Sequence, residues 1–247
     1  MMEQDILLYA AKMQCPELHM IVDEPTGLKG IIAIHSTQLG PALGGCRFIE
    51  YPSTTAAAID AIRLAQGMTY KAAISDLPLG GGKMVILKPK SVRDRVAFFK
   101  AVGRFVDTLN GRYITAVDSG TSVEDMDIVA TSTTHVTSTS NSIFSEHDPS
   151  GMTAEGVFYG IRAAVLHKLG KKTLEGLHAT IQGLGHAGFR LAQHLYEAKV
   201  KLTVYDIVPE LMDRAALELD AKIVGSLDEL LATPSDIFAP CALGGVI

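Results

Sequence analysis

An α/β protein in two parts is predicted by three observations. Apolar segments of strand period alternate with segments of helical period along most of the chain. A glycine-rich turn, Gly183-Leu184-Gly185-His186-Ala187-Gly188, joins a strand directly to a helix. A Ser- and Thr-rich stretch, Thr131 to Ser142, interrupts the alternation between the two halves and reads as a hinge. The predicted domains are therefore residues 1–140 and residues 141–247.

The bulk properties agree. With 47% hydrophobic and 20% charged residues, the 247-residue chain can bury a sizeable core. A net charge of −5 leaves no basic excess to neutralise phosphates and argues against general nucleic-acid binding. No apolar run is long enough to cross a bilayer, and Met1 to Met13 lacks a basic signal-peptide start. Cys15, Cys46 and Cys241 are far apart and lack metal spacing, so no metal site is expected. The odd cysteine count suits a reducing, cytoplasmic setting.

In the first domain, Leu18–Asp23 and Leu28–His35 read as strands around the turn Glu24-Pro25-Thr26-Gly27. Leu39-Gly40-Pro41-Ala42-Leu43-Gly44-Gly45-Cys46-Arg47-Phe48 reads as a glycine-punctuated loop entering another strand. From Ser53 or Thr54, a helix cap, the period becomes helical, with Ala57, Ile59, Ala61, Ile62, Leu64, Ala65 and Met68 on one broad face. Lys71 ends this helix close to that face. Gly80-Gly81-Gly82 then delivers Lys83 onto the apolar run Met84-Val85-Ile86-Leu87. Three glycines weaken helix and strand alike, so they predict a connection that lets backbone approach something closely. A lysine held on such a run is partly desolvated, which favours the neutral amine and makes a usable base; a second cation nearby acts the same way. The plainer alternative is two solvated lysines bracketing a flexible turn. Ser91 is predicted to cap a helix to about Leu109, with Val92, Val96, Phe99, Val102, Phe105 and Val106 inward. Tyr113–Val117 is a short strand ending at Asp118, a place suited to a functional carboxylate and equally to an Asx turn or helix cap.

In the second domain, Thr153–Leu169 is predicted helical with Val157, Ile161, Ala164 and Val165 on one face. The strand Ala179–Gln182 enters the glycine turn, the helix Phe189–Ala198 follows, and Lys201–Asp206 is the next strand. Gly183 allows the tight turn, Gly185 close approach of a pyrophosphate, and Gly188 close packing of helix on strand. Asp206 stands 23 residues after Gly183, near the offset of about 20 expected for the acid that binds the ribose 2′-hydroxyl. A carboxylate there repels a 2′-phosphate, so the implied cofactor is NAD rather than NADP. A helix Leu211–Leu219, a strand Lys222–Val224, a short helix Leu227–Leu231 and a strand Asp236–Pro240 complete a partial Rossmann-like, doubly wound domain.

Six blocks now stand in order: Leu39–Gly45, Gly67-Met68-Thr69-Tyr70-Lys71, Gly80–Lys83, Tyr113–Ala116, Pro149-Ser150 with Thr153, and Asp236–Gly244. On these, essentially the whole chain resembles the glutamate, leucine, valine and phenylalanine dehydrogenase family, with its closest likeness to the leucine dehydrogenase branch. The resemblance implies oxidative deamination of an L-amino acid by NAD⁺ to a 2-oxo acid, ammonium and NADH, together with the reverse amination. It implies that Lys71 binds the substrate α-carboxylate, that Lys83 is the base activating water, and that Asp118 exchanges protons with the substrate amine. Leu43, Gly44, Gly45, Met68 and Ala116 would line the substrate site. Ser150 and Thr153, with Gly183, Leu184, Gly185, His186, Ala187, Gly188 and Asp206, would hold the cofactor. A homo-oligomer built through the first domain is a further implication. Glutamate-specific members carry a lysine where this chain has Leu43, and burying a γ-carboxylate against leucine is costly. Small Ala116 leaves room for an aliphatic side chain, so leucine, isoleucine or valine is the expected substrate; both residues also read as core.

Two departures stand out. Val117 takes the place of an acid usual before the catalytic aspartate, and Ser119 replaces a more apolar neighbour. The chain also stops at Ile247, before the strands and helices that complete the family's second domain, so taken alone it is expected to be weakly active and marginally stable. A catalytically impaired NAD-binding subunit, a phenylalanine- or valine-preferring member, and a hydroxy-acid dehydrogenase on the same fold are the rival readings.

Overall fold

A computed structural model describes residues 5–141, 149–242 and 244. The chain divides into two compact units, Met1–Glu146 and His147–Ile247. The first contains α1 (Ile6–Lys12), β1 (Glu17–Asp23), β2 (Leu28–Ser36), β3 (Ala42–Ile49), α2 (Thr54–Ile74), β4 (Gly80–Leu87), α3 (Arg95–Asp107), β5 (Tyr113–Val117) and α4 (Val123–Ala130). Its five strands run in the order β1-β2-β4-β3-β5. β1, β2 and β4 pair antiparallel, whereas β4, β3 and β5 pair parallel.

Both faces of this sheet are covered, which is why β4 is buried from Gly80 to Ile86 instead of alternating. One face packs Ile31, Ala33 and Val85 under Ala57, Ala58, Ala61, Ile62 and Ala65 of α2. The small side chains of α2 let the helix lie close to the strands. The other face packs Phe48, Met84, Ile86 and Tyr113 against Phe98, Phe99, Val102 and Val106 of α3 and Met126 and Val129 of α4.

Two glycine segments expected as loops are strand. Leu43, Gly44 and Gly45 lie within β3, and Gly80-Gly81-Gly82 opens β4. The glycines are required by contact rather than by turning. A Cβ on Gly44 would stand 1.8 Å from the Gly82 carbonyl oxygen, one on Gly80 1.9 Å from that of Ser36, and one on Gly81 2.2 Å from the Thr69 nitrogen. Ladder hydrogen bonds and burial outweigh the entropic cost of glycine here. The helix after β4 also starts later than expected. Asp94, not Ser91, caps α3, its Oδ1 accepting the Ala97 N–H at 2.9 Å. The shift turns Val96 outward, 49% exposed, and puts Phe98 in the core. Lys71 does not end α2, which continues to Ile74. The Ser/Thr-rich segment is held by the first unit: the Thr115 N–H donates to the His135 carbonyl at 3.0 Å, and the Thr137 N–H to the Thr115 carbonyl at 2.8 Å. Ser142, the last residue of that segment, lies outside the described residues.

The second unit contains α5 (Pro149–Leu169), β6 (His178–Gln182), α6 (His186–Glu197), β7 (Lys201–Tyr205), α7 (Pro209–Leu219), β8 (Lys222–Ile223), α8 (Leu227–Ala232) and β9 (Ile237–Pro240). Its four strands are parallel in the order β8-β7-β6-β9, the Rossmann-like arrangement. The order reverses at β6, so the end of β6 is the switch point, and the glycine turn follows it. α5 begins four residues earlier than predicted and buries Ala154 and Val165, with Phe158 and Ile161 half-buried against the same core. Val157 and Ala164, expected inward, face outward, Val157 being 41% exposed. α6 begins at His186 rather than Phe189, because Gly185 in an extended conformation already accepts the Phe189 N–H at 2.9 Å.

Candidate active site

Register decides what the first unit brings together. Leu43 pairs with Gly81 and Ile114, Gly45 with Ala116, Arg47 with Val85, and Ala33 with Lys83. Side chains two apart on a strand share a face, so Leu43, Gly45 and Arg47, Lys83, and Ala116 all point to the side covered by α2. Asp118 follows β5 on the same side, against Gly45, where a Cβ would stand 2.6 Å from the Asp118 Cβ. The absent side chain at position 45 is the space Asp118 occupies. On the opposite side, the buried Tyr113 hydroxyl donates to the Gly44 carbonyl at 2.6 Å and ties β3 to β5.

Lys83 is 6% exposed and its ammonium pairs with Asp118 Oδ2. Asp118 is fixed at its other end: Oδ1 accepts the Ser119 N–H at 2.7 Å, and its own N–H donates to Thr121 Oγ1 at 2.9 Å. Arg47 Nε lies 3.6 Å from Asp118 Oδ2, and its Nη1 donates to Asp60 Oδ2 at 2.9 Å. Asp60 is further bound by the Tyr51 hydroxyl at 2.7 Å and by Arg63 Nη2 at 2.9 Å.

Burial is the largest influence on Lys83 and pushes its proton affinity below the ordinary lysine range; Asp118 pulls the other way, while the charges of Arg47 and Lys71 add to the lowering. For Asp118, burial favours the neutral acid, but Lys83 and Arg47 outweigh it and hold the carboxyl below its usual range. The expected cationic neighbour is thus supplied first by Arg47 and second by Lys71. Lys71 is exposed near the end of α2, Met68 is half-buried one turn earlier, and Leu43 and Ala116 are half-buried on the Lys83 face. A half-buried leucine and alanine beside a buried amine form an apolar wall that is still accessible.

The second unit assembles the glycine turn as the spacing requires. Gly183 has φ +90°, and a Cβ there would stand 2.7 Å from the Ala242 nitrogen; one on Gly188 would stand 2.1 Å from the Gly183 carbonyl oxygen. Nothing lies within 4 Å of the Cβ position of Gly185. Leu184 is buried, whereas Gly185 and His186 are exposed and Ala187 is half-buried at the start of α6. Asp206 Oδ2 accepts the Leu184 N–H at 2.6 Å and Oδ1 the Val208 N–H at 2.9 Å. Thr153 lies in the first turns of α5. Ser150 lies in the first turn, and its side chain is outside the described residues, as is Leu243 of the last sequence block.

Sequence reasoning missed Arg47 and its Asp60 anchor. The signal was present: once Leu43–Phe48 is read as strand, period two places Arg47 with Leu43 and Gly45. The glycines made that segment read as loop.

The chain as a whole is similar to known proteins. A family model described as Glu/Leu/Phe/Val dehydrogenase, dimerisation domain, matches residues 13–135. A leucine dehydrogenase of Thermoactinomyces intermedius is 47% identical over 239 residues, covering 97% of this chain and 65% of that protein. A leucine dehydrogenase of Bacillus cereus is 45% identical over 246 residues, covering 100% of this chain and 67% of that protein. The crystal structure of L-tryptophan dehydrogenase from Nostoc punctiforme superposes with a TM-score of 0.69 at 38% identity, covering 97% of this chain and 67% of that one. The chain thus spans about two thirds of the length of these relatives.

Proposed function

The chain belongs to the Glu/Leu/Phe/Val dehydrogenase family, and on that premise we propose that the whole protein catalyses NAD-dependent oxidative deamination of branched-chain L-amino acids, and the reverse amination. The observation that carries this reading is the pairing of buried Lys83 with half-buried Asp118 on the same sheet face as Leu43 and Ala116. Such a pair couples a base of reduced proton affinity to a carboxylate held ionised, which suits two proton transfers within one reaction.

The second unit fits a dinucleotide. The open space at Gly185 and the N-terminus of α6 suit a pyrophosphate. Asp206 spends one interaction per oxygen on backbone N–H groups, and a carboxylate accepts about four, so capacity remains for a ribose hydroxyl. Its charge favours NAD over NADP. Leu184, His186, Ala187, Ser150 and Thr153 complete the assigned cofactor residues. A bound nicotinamide would supply the hydride acceptor for the substrate α-carbon.

Lys71 supplies the cation for the substrate carboxylate. Neutral Lys83 takes a proton from water as the water oxygen bonds to the imino carbon. Asp118, ionised at rest, takes a proton from the substrate ammonium before hydride loss and returns it to the amino group of the carbinolamine. It then accepts the hydroxyl proton as the carbonyl forms, the carbon–nitrogen bond breaks, and ammonia leaves with both bonding electrons to be protonated to ammonium. Leu43, Gly45, Met68 and Ala116 are assigned to the side-chain subsite, where the apolar Leu43 cannot pair with a γ-carboxylate; Gly44, expected with them, points to the opposite face of β3. The likeness to a tryptophan dehydrogenase at 38% identity favours one alternative, a preference for aromatic side chains. Relative kcat/KM for leucine, phenylalanine and tryptophan separates the two.

Assembly into a homo-oligomer through the first unit is supported by the dimerisation-domain match and by Met20 and Val22 on the edge strand β1, 66% and 67% exposed. The free cysteines suit a reducing cytoplasm. Among the described residues, no helix is long and apolar enough to cross a membrane.

The test is NADH oxidation by the whole protein with 4-methyl-2-oxopentanoate, with and without ammonium. The rate should require ammonium. Lys83→Ala should lower it by about 100-fold or more, the scale of a positioned general base, with NADH binding unchanged. Reduction without ammonium indicates a hydroxy-acid dehydrogenase instead; cofactor binding without turnover indicates an impaired subunit.

A further inference from the structure

The network behind Asp118 has no role in the reading above. Arg47 is nearly enclosed, its side chain 11% exposed, and it spans two carboxylates. Its Nη1 is committed to Asp60 at 2.9 Å, and Asp60 is clamped from two further directions by Tyr51 and Arg63. Its Nε is different. It is buried, has no hydrogen-bond partner, and stands 3.6 Å from Asp118 Oδ2, longer than a hydrogen bond. A buried donor left open is costly, so a guanidinium anchored at one end, with a spare donor aimed at the reacting carboxylate, calls for explanation.

We propose that Arg47 is a positioning residue for the Lys83–Asp118 pair: anchored by Asp60, it shares Asp118 Oδ2 with Lys83 and takes over that oxygen when Lys83 turns to its reacting water. Asp118 is then never left as an unpaired buried carboxylate, and Lys83 is not locked into an exclusive ion pair. The guanidinium suits this role because its fork reaches two acids from one rigid plane, which an ammonium cannot do. The charged groups facing Lys83 are Asp118 after β5, Arg47 on β3 and Lys71 on α2; those facing Arg47 are Asp118, Asp60 and the Tyr51 hydroxyl. Removing the Arg47 charge removes a repulsion on Lys83 and tightens its pairing with Asp118. Both changes favour the charged amine.

The inference rests on the proposed base role of Lys83, and two readouts keep the failures distinct. In the whole protein, the pH dependence of leucine kcat/KM is compared for the parent, Arg47→Gln and Arg47→Lys. In parallel, the pH midpoint of Lys83 acetylation is followed by peptide mass mapping, which needs no turnover. Arg47→Gln is expected to lower kcat/KM at pH 7 by more than tenfold, with the rising limb displaced to higher pH and part of the rate recovered there. The Lys83 labelling midpoint should move the same way. Arg47→Lys should move both by less, and it decides the matter if the glutamine variant does not fold. A parent without leucine turnover sinks the proposed function, while the labelling still reports on Arg47. An unmoved Lys83 midpoint in a folded variant overturns the positioning role, whatever happens to the rate.

Discussion

A lysine on an interior strand has to be explained by what surrounds it. Lys83 sits on β4, 6% exposed, with Asp118 as its ion partner and two further cations acting on it. Asp118 reaches it because position 45 carries no side chain. Gly45→Ala would place a methyl carbon 2.6 Å from the Asp118 Cβ, so the carboxylate must move. Misplacing a reacting group by about 1 Å costs on the order of 100-fold in rate. Gly45→Ala is therefore expected to lower kcat by about that factor, while steady-state NADH fluorescence titration gives an unchanged affinity. Gly44→Ala differs in kind. Its Cβ would meet the Gly82 carbonyl oxygen at 1.8 Å, backbone against backbone, so a loss of stability of about 1–3 kcal/mol or more is expected by urea denaturation.

Among the elements, the legible ones were those whose signal is local. Strand–turn–helix spacing located Gly183, Gly185, Gly188 and Asp206, and the structure joins them through the Asp206–Leu184 hydrogen bond. The α2 face was legible because its alanines and isoleucine recur at helical period. Signals that depend on a neighbour were not legible. Gly80-Gly81-Gly82 reads as a break in any window of sequence, yet it is strand because Ser36, Thr69 and Tyr113 leave no room for side chains. Arg47 was hidden by the same effect in β3. On α3 the sequence pointed only to Ser91 as the cap, and the structure places the cap three residues later, at Asp94. Asp94→Ala should therefore cost about 0.5–2 kcal/mol in thermal denaturation; Ser91→Ala should be neutral. The reverse order would contradict the assigned helix start.

At the scale of the whole molecule, buried charge ties stability to pH. Burial works against ionised Asp60, but Tyr51, Arg63 and Arg47 hold its carboxyl below the ordinary range. A depressed folded value contributes stability that is present above the unfolded carboxylate value, about 3.9, and is lost as pH falls through the folded one. The Tm difference between the parent and Asp60→Asn should therefore be largest near neutrality and shrink below about pH 4; a constant difference would mean the charge is not the source. Lys83 acts at the other end. Its folded value is depressed, so the cost of burying the ammonium is full below that value and lifts as pH rises towards the unfolded lysine value, about 10.4. That same depression makes it a base, which makes its own titration the most direct measurement. In the whole protein labelled with [13Cε]lysine, the resonance assigned by its loss in Lys83→Arg should titrate clearly below the other lysines. A Lys83 resonance titrating with the exposed lysines, or above them, would contradict the account.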